Sequence, residues 1–208
     1  MPTLLVIQAH PKTDQPSNSL AVEQTFIDAY TQSHPHDDVI IRDVYADHVP
    51  EMNDETFGAW QKMKMNQELT PAEQTLLNRH TDWLTEFTAA DKYLFVNPMY
   101  NHFLPAELKQ YIDVVSVARK TFRYTANGPV GMMIGKKAAH IQSAGGYYHT
   151  PENPAGDFGS QYLTSTLAIF GIMDVVDIDI EGADAHPEQA GEILAAAKAE
   201  AKTVAATF

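Results

Sequence analysis

Hydroxyl, amide and imidazole groups gather in the sequence around the predicted start of a helix, at Ser17, Asn18 and Ser19, with His10 in the loop before it. Ser and Asn are preferred N-cap residues, and the first backbone N–H groups of a helix have no intrahelical acceptor. These N–H groups, the hydroxyls and the positive end of the helix dipole together favour a phosphate. The sequence therefore predicts an anion site here, with His10 as a further candidate contact.

A second segment, residues 97–104, carries bulky side chains where loops usually carry small polar ones. It reads Asn97, Pro98, Met99, Tyr100, Asn101, His102, Phe103 and Leu104. The apolar run before it, residues 93–96, is typical of a buried strand. A loop that exposes apolar and aromatic groups at the end of a strand favours a flat ligand.

A third segment contains Ser143, Ala144, Gly145 and Gly146 after another apolar run. Paired glycines allow the backbone to approach a ligand closely, because no side chain stands in the way. Backbone N–H groups at this position are suited to the polar edge of a flat ring. We therefore expect this segment to face the same ligand as residues 97–104.

The elements that must position these segments alternate along the chain. Strands are predicted at residues 4–7, 39–44, 93–96, 137–142 and 175–180, and helices at about 17–30, 54–65, 70–88, 105–118, 158–170 and 187–205. This pattern predicts an α/β fold with a doubly wound, five-stranded parallel sheet and helices on both faces. Ligands of such sheets lie beyond the carboxyl ends of the strands, where all three segments fall.

The helical spacing also predicts which side chains face the core. They are Leu20 and Ile27 in the first helix, Leu76, His80, Trp83 and Phe87 in the third, and Ile193, Leu194 and Val204 in the last. The third helix has the clearest start, because Thr70 and Glu73 can form a capping box with Pro71 at the first helical position.

Composition limits the classes of function. The 208 residues, 44% hydrophobic and 20% charged, predict one globular domain over residues 1–208. A net charge of −13 disfavours nucleic acid and membrane surfaces as partners. The chain has no cysteine, so redox chemistry must come from a cofactor, and no ligand spacing indicates a metal site. Without an apolar run of membrane-spanning length or a basic leader, a cytoplasmic location is expected.

No Gly-x-Gly-x-x-Gly follows the first strand and no Gly-Lys-Ser/Thr occurs, so dinucleotide and P-loop motifs are absent. A hydroxyl-lined phosphate site without glycines is better suited to FMN. Five motifs in order carry a resemblance: residues 9–11 with 17–19, 97–101, 121–129, 135–138 and 143–146. Together they resemble the FMN-dependent NADH azoreductases of the flavodoxin-like quinone reductase superfamily, over nearly the whole chain.

The resemblance implies a flavodoxin-like fold with strand order 2-1-3-4-5 and a role for each segment. Cofactor contacts are expected from His10, Ser17, Asn18 and Ser19 at the phosphate, from Pro98, Met99, Tyr100, Asn101 and His102 along the isoalloxazine, and from Ser143, Ala144, Gly145 and Gly146 at its pyrimidine side. Tyr124 and Tyr147 are expected to border the substrate. Because the cofactor carries the hydride chemistry, no catalytic side chain is predicted.

The activity implied by the resemblance is two-electron reduction of quinones and azo compounds by NADH, through a ping-pong sequence in one pocket of a homodimer. The alternative is a flavodoxin-type electron carrier or a module that senses flavin or nucleotide. The extra material at residues 45–69 and 119–131 favours the enzyme, since it is suited to enclosing a substrate and a partner subunit. The sequence leaves open the physiological acceptor and the choice between NADH and NADPH.

Overall fold

The structure is a computed structural model that describes residues 1–150 and 156–208. The strands are β1 (Thr3–Gln8), β2 (Asp38–Asp43), β3 (Lys92–Pro98), β4 (Phe122–Thr125), β5 (Gly128–Gly131), β6 (Lys137–Ala144) and β7 (Asp174–Glu181). The helices are α1 (Asn18–Ser33), α2 (Asp54–Lys64), α3 (Pro71–Ala89), α4 (Ala106–Val115), α5 (Phe158–Phe170) and α6 (Ala190–Thr207), with a 3₁₀ turn at Pro187–Gln189. Every predicted strand and helix is therefore present.

The main sheet has five parallel strands in the order β2-β1-β3-β6-β7. This is the predicted doubly wound order, because β6 and β7 are the fourth and fifth strands of the sheet. The predicted excursion between α4 and β6 is an antiparallel hairpin, β4 with β5, which forms a separate sheet. Its turn passes through Gly128, whose φ of +108° is readily adopted by glycine.

Each face of the sheet buries a different kind of core. The face covered by α3, α4 and α5 is aromatic, with Trp83, Phe87, Tyr93, Tyr111 and Phe170 packed together. The face covered by α1 and α6 is mainly aliphatic, and its aromatic members are Phe26, Tyr30 and Phe208. The predicted buried stripe of α3 is confirmed at His80, Trp83 and Phe87, whereas Leu77 is buried in place of the predicted Leu76. The capping box between Thr70 and Glu73 is present.

The predicted inward faces of α1 and α6 are shifted by a few residues. In α1 the fully buried apolar side chains are Val22, Phe26 and Tyr30, which recur every four residues, and Leu20 and Ile27 flank this stripe half-buried. In α6 the buried residues are Ala197, Ala201 and Ala205, and the larger predicted residues lie beside them. The two helices pack on each other, and small alanines allow the close approach that a stripe of larger residues would prevent.

The carboxyl ends of β1, β3 and β6 lie next to one another at the same edge of the sheet. Gln8 is opposite Val96, and Pro98 is opposite Ser143. The first residue after β1, Ala9, donates its N–H to the carbonyl of Val96 at 2.8 Å. The loops that follow the three strands therefore start side by side, as the sequence predicts.

Candidate functional site

Ser17 is the N-cap of α1, and its Oγ accepts a hydrogen bond from the N–H of Leu20 at 3.3 Å. Ser19 is fully buried, and its Oγ lies 3.1 Å from that of Ser17. The chain turns helical here because Ser17 keeps an extended backbone while its side chain satisfies the third N–H of the helix. The paired hydroxyls and the remaining N–H groups of this turn form a donor set suited to an anion.

His10 lies in the loop between β1 and α1, and its Nδ1 is buried with no hydrogen-bond partner among the described residues. Burial lowers the pKa of His10, so the ring is favoured in its neutral form. A buried ring nitrogen without a partner carries a desolvation cost that a ligand can remove. This buried nitrogen without a partner is a second feature, beside the donors at the start of α1, that fits the phosphate of a cofactor.

The loop after β3 is a tight turn in which Tyr100 and Phe103 exchange backbone hydrogen bonds at 2.9 and 3.0 Å. Asn101 and His102 occupy its centre with φ of 51° and 64°. Met99 donates its N–H to the carbonyl of Ser143 at 2.7 Å, so the N–H groups of Met99 and Tyr100 already have protein acceptors. Of the expected donors in this loop, those of Asn101 and His102 have no acceptor in the described part of the chain.

The loop after β6 is held through its carbonyls. Gly145 accepts from the N–H groups of Asp184 and Ala185 at 3.1 and 3.0 Å, and Gly146 accepts from Gly182 at 3.0 Å. A Cβ at Gly145 would lie 2.4 Å from Asp184 Oδ2, so only glycine fits without a shift. No acceptor for the N–H groups of Gly145 and Gly146 exists in residues 1–150 and 156–208.

The two loops enclose a common cavity of about 240 Å³. It is lined by Met99, Asn101, His102, Ala144, Gly145 and Tyr148. His102 is held in place because its Nδ1 donates to the carbonyl of Gly156 at 2.9 Å, and its ring meets that of Tyr148 edge-on at 5.2 Å. Five of the six lining residues are predicted cofactor contacts.

Tyr148 is the lining residue that sequence reasoning did not select. Tyr147, chosen as the substrate neighbour, lies against Gly182 and the ring of His186 instead. The two tyrosines are adjacent in an irregular loop, so no periodicity in the sequence separates them. Tyr124 lies on the β4–β5 hairpin with 75% of its surface exposed and does not line the cavity within this single chain.

A buried polar layer behind the cavity was also missed. Asn97 donates to Gln142 Oε1 at 3.2 Å and is bonded to His140 Nε2 through its Oδ1 at 2.9 Å. Gln142 in turn donates to Asp157, the N-cap of α5, at 2.5 Å. These bonds fix the ends of β3 and β6 and the start of α5 around the cavity. The sequence did contain a signal for this polar layer, because polar residues stand at the ends of apolar strands.

Two further properties of the described residues bear on the kind of site. No group of three or more His, Asp or Glu side chains among them is arranged to hold a metal ion. None of their helices combines the length and apolar character needed to cross a membrane. Larger surface clefts lie between α1 and α6 and between α2, α3 and α4, and neither is lined by a predicted site residue.

Comparison with known proteins agrees with this geometry. Residues 2–205 match a family model described as having the flavodoxin-like fold. The chain is 54% identical over 209 residues to FMN-dependent NADH:quinone oxidoreductase 2 of Lactiplantibacillus plantarum, and 48% identical over 214 residues to FMN-dependent NADH:quinone oxidoreductase 1 of Lactococcus lactis, with all of each chain covered.

Among solved structures, an FMN-dependent NADH-azoreductase of Bacillus anthracis in complex with FMN is similar, with a TM-score of 0.94 and 31% identity. The similarity covers 100% of this chain and 99% of that one. The azoreductase AzrA has a TM-score of 0.91 at 32% identity, over 99% of this chain and 100% of that one. The chain therefore belongs to the family of FMN-dependent NADH:quinone oxidoreductases and azoreductases with the flavodoxin-like fold.

Proposed function

We propose that this chain is an FMN-dependent NADH:quinone oxidoreductase that also reduces azo compounds. One observation carries the proposal: the hydrogen bond from Met99 to Ser143 joins the loop after β3 to the end of β6 beside a cavity, at the sheet edge where α1 also begins. An anion site and a set of backbone donors around a flat space are what a flavin mononucleotide requires. The high identity to the FMN-dependent relatives supports the same assignment.

The residues present fit FMN at both ends. At the phosphate end, Ser17, Asn18 and Ser19 would hold the phosphate through hydroxyls and helix N–H groups, and the orphaned His10 Nδ1 provides a further contact. At the other end, the wall of the cavity offers N–H groups that have no acceptor within the described residues. When bound, FMN supplies the two-electron chemistry that links NADH to the acceptor.

The protein contributes binding, orientation and electrostatics. The N–H groups of Asn101, His102, Gly145 and Gly146 would donate to the polar edge of the ring and stabilise the negative charge that reduction places there. The edge-on rings of His102 and Tyr148 form a wall that limits access of water. No side chain needs to move a proton before hydride transfer, so none is assigned a catalytic role.

We also propose that two copies assemble and complete each other's site, with residues 1–208 of each forming one domain. Three large apolar side chains on one side of the molecule are mostly exposed: Tyr124 at 75%, Ile134 at 72% and Met173 at 76%. Ile134 contacts Gly171 at the end of α5. This contact brings the region of the hairpin next to Met173. A second copy covering this surface would bury it and bring Tyr124 toward a cavity of its partner.

Steady-state kinetics test the proposed sequence of reactions. NADH oxidation is measured at several fixed concentrations of a benzoquinone and, separately, of an azo dye. If NADH and the acceptor occupy the same cavity in turn, double-reciprocal plots give parallel lines for both acceptors. Intersecting lines would contradict a shared cavity, because they require both substrates to be bound together. A chain that fails to oxidise NADH with either acceptor would contradict the enzyme assignment.

A further inference from the structure

A polar layer lies between the start of α5 and strands β6 and β7, on a sheet face that is otherwise aromatic and aliphatic. Asp177, Asp179 and Glu181 alternate along β7, so their side chains share this face. Asp157, the N-cap of α5, is 2% exposed and adds a fourth carboxylate from the facing helix. Carboxylates gathered in a partly buried layer repel one another, and a cation between them or uptake of a proton relieves this repulsion.

His149 lies among three of these carboxylates. Its Nδ1 is 3.1 Å from Glu181 Oε1 and 3.2 Å from Asp179 Oδ2, and its Nε2 is 3.4 Å from Asp157 Oδ2. A neutral imidazole has one N–H donor and one nitrogen lone pair, whereas the protonated ring has two N–H donors. Because both nitrogens of His149 face carboxylate oxygens, the neutral ring would direct its lone pair at an anion. The geometry therefore fits the protonated ring.

The remaining charged groups of the layer do not supply a competing cation. Asp177 on β7 is contacted by a second imidazole, since His140 Nδ1 on β6 lies 3.3 Å from its Oδ1. Within the described residues, no lysine or arginine forms an ion pair with the four carboxylates. Burial raises the pKa of Asp179 to about 6 against the attraction of His149, and Asp177 and Glu181 raise it as well.

The segment that carries His149 also forms one wall of the cofactor cavity. Glu181 accepts the backbone N–H of Tyr148 at 3.0 Å and that of His149 at 3.3 Å, so one carboxylate holds both the backbone and the ring of this segment. Tyr148 and Gly145 line the cavity. A change in the contacts of His149 is therefore transmitted to the wall through one or two peptide units.

We propose that protonated His149 is a positioning residue, which fastens residues 145–150 to the carboxylates of β7 and α5 and so holds the wall of the cavity in place for FMN. The inference rests on the proposed function, since the position of the wall matters only if the cavity takes FMN. Without a cationic ring at this position, the carboxylates around it would repel one another and the wall would loosen. Loss of the positive charge at residue 149 should therefore weaken FMN binding.

The test measures FMN binding rather than turnover. FMN is titrated into the wild-type chain and into His149→Gln and His149→Lys variants at one fixed pH, with quenching of flavin fluorescence as the readout. Glutamine removes the charge and lysine keeps it. We expect His149→Gln to weaken binding about tenfold and His149→Lys to stay within about threefold of the wild type.

Comparison of the two variants separates a role of charge from a role of shape. If the charge matters, the lysine variant retains the FMN affinity that the glutamine variant loses. If only the shape of the side chain matters, both variants lose affinity equally. Circular dichroism of each variant establishes that it is folded.

A double-mutant cycle tests whether Glu181 is an ion-pair partner of His149. Glu181→Gln should weaken FMN binding, and the double variant with His149→Gln should lose less than the sum of the two single effects, because both remove the same ion pair. The matched control is His36→Gln, which alters an exposed histidine on the turn between α1 and β2 at the opposite edge of the sheet. It should leave FMN affinity unchanged.

Three results would overturn the inference. They are unchanged affinity in folded His149→Gln, an equal loss in the glutamine and lysine variants, and a double variant that loses as much as the sum of the two single effects. If the wild-type chain itself fails to bind FMN, the proposed function is contradicted and the inference falls with it. The wild-type titration alone therefore distinguishes a failure of the inference about His149 from a failure of the proposed function.

Discussion

The two ends of the proposed FMN site are built in different ways. The phosphate end is local, because Ser17, its cap bond to Leu20 and the hydroxyl of Ser19 all lie within four consecutive residues. The ring end is assembled from distant parts of the chain: the loop after β3, the loop after β6, the residues after β7 and the start of α5. A local site depends on one helix, whereas an assembled site depends on every contact that aligns its parts.

This difference predicts how each end fails. Damage at the ring end should spread, because Gly182 and Glu181 hold the backbone of Gly146 and Tyr148 from another strand. Damage at the phosphate end should stay confined to the first turn of α1 and its immediate neighbours. Substitutions at the two ends, matched with controls elsewhere, test the distinction.

The largest effect is expected for Gly182→Ala at the ring end. Gly182 has a φ of +86°, and an added Cβ would lie 2.2 Å from the ring of Tyr147. Backbone strain and the clash should lower the free energy of unfolding by about 3 kcal/mol, and FMN binding should weaken as well. Denaturant unfolding with and without FMN measures both effects.

Gly191→Ala is the matched control, because an added Cβ there meets no atom within 4 Å and the residue lies in α6. Alanine is the better helix former, so this variant should be as stable as the wild type or more stable by about 0.5–1 kcal/mol. Equal stability of the two variants would show that the segment after β7 does not support the ring end.

The next effect concerns the phosphate end. Burial raises the pKa of Glu23 on α1 to about 7 from its ordinary 4.5, although Gln8 donates to both of its carboxyl oxygens. The folded chain keeps the proton up to about pH 7, whereas the unfolded chain releases it near 4.5. Stability from this group is therefore present below pH 4.5 and is lost as pH rises to about 7.

Glu23→Gln should remove this pH dependence, because an amide cannot ionise. We expect the variant to exceed the wild type in unfolding free energy by about 2–3 kcal/mol at pH 8, and by little at pH 4. Thermal unfolding across this pH range provides the comparison. A wild type and a variant whose stabilities change in parallel with pH would contradict a protonated Glu23.

Ser17→Ala should have the smallest effect on stability. Loss of the N-cap bond to Leu20 should lower the free energy of unfolding by about 1 kcal/mol, and loss of a hydroxyl from the anion site should weaken FMN binding about tenfold. Thr70→Ala removes the cap of α3 and should cost about as much stability while leaving FMN affinity intact. If both variants lost FMN affinity equally, the phosphate end would not be local.

The same difference explains what the sequence could predict. Ser17, Ser19 and the cap of α3 were predicted because capping depends on residues a few positions apart. The elements followed from apolar runs such as that of β1 and from breakers such as Gly171, which ends α5 with a φ of 93°. The strand order was implied by the resemblance. Gly145 and Gly146 were selected as paired glycines that follow a strand, and the fit of Gly145 against Asp184 was not visible in the sequence.

The missed features depend on pairing between distant residues. The opposition of Gln142 and Asp179 follows from the register of β6 and β7, which no spacing within either segment reveals. Selection of Tyr148 over Tyr147 depends on the contact of Tyr147 with Gly182. The buried stripe of α1 was misplaced because apolar residues occur on adjacent faces, and contact with α6 and with the sheet decides between them.

A flavin titration followed by anaerobic reduction tests the central claim most directly. The purified chain, freed of bound cofactor, is titrated with FMN and then mixed with NADH in the absence of oxygen and of any acceptor. We predict saturable, equimolar binding of FMN, loss of the yellow flavin absorbance on addition of NADH, and its return when a quinone is added. A chain that does not bind FMN, or that binds FMN which NADH does not bleach, would contradict the proposed function.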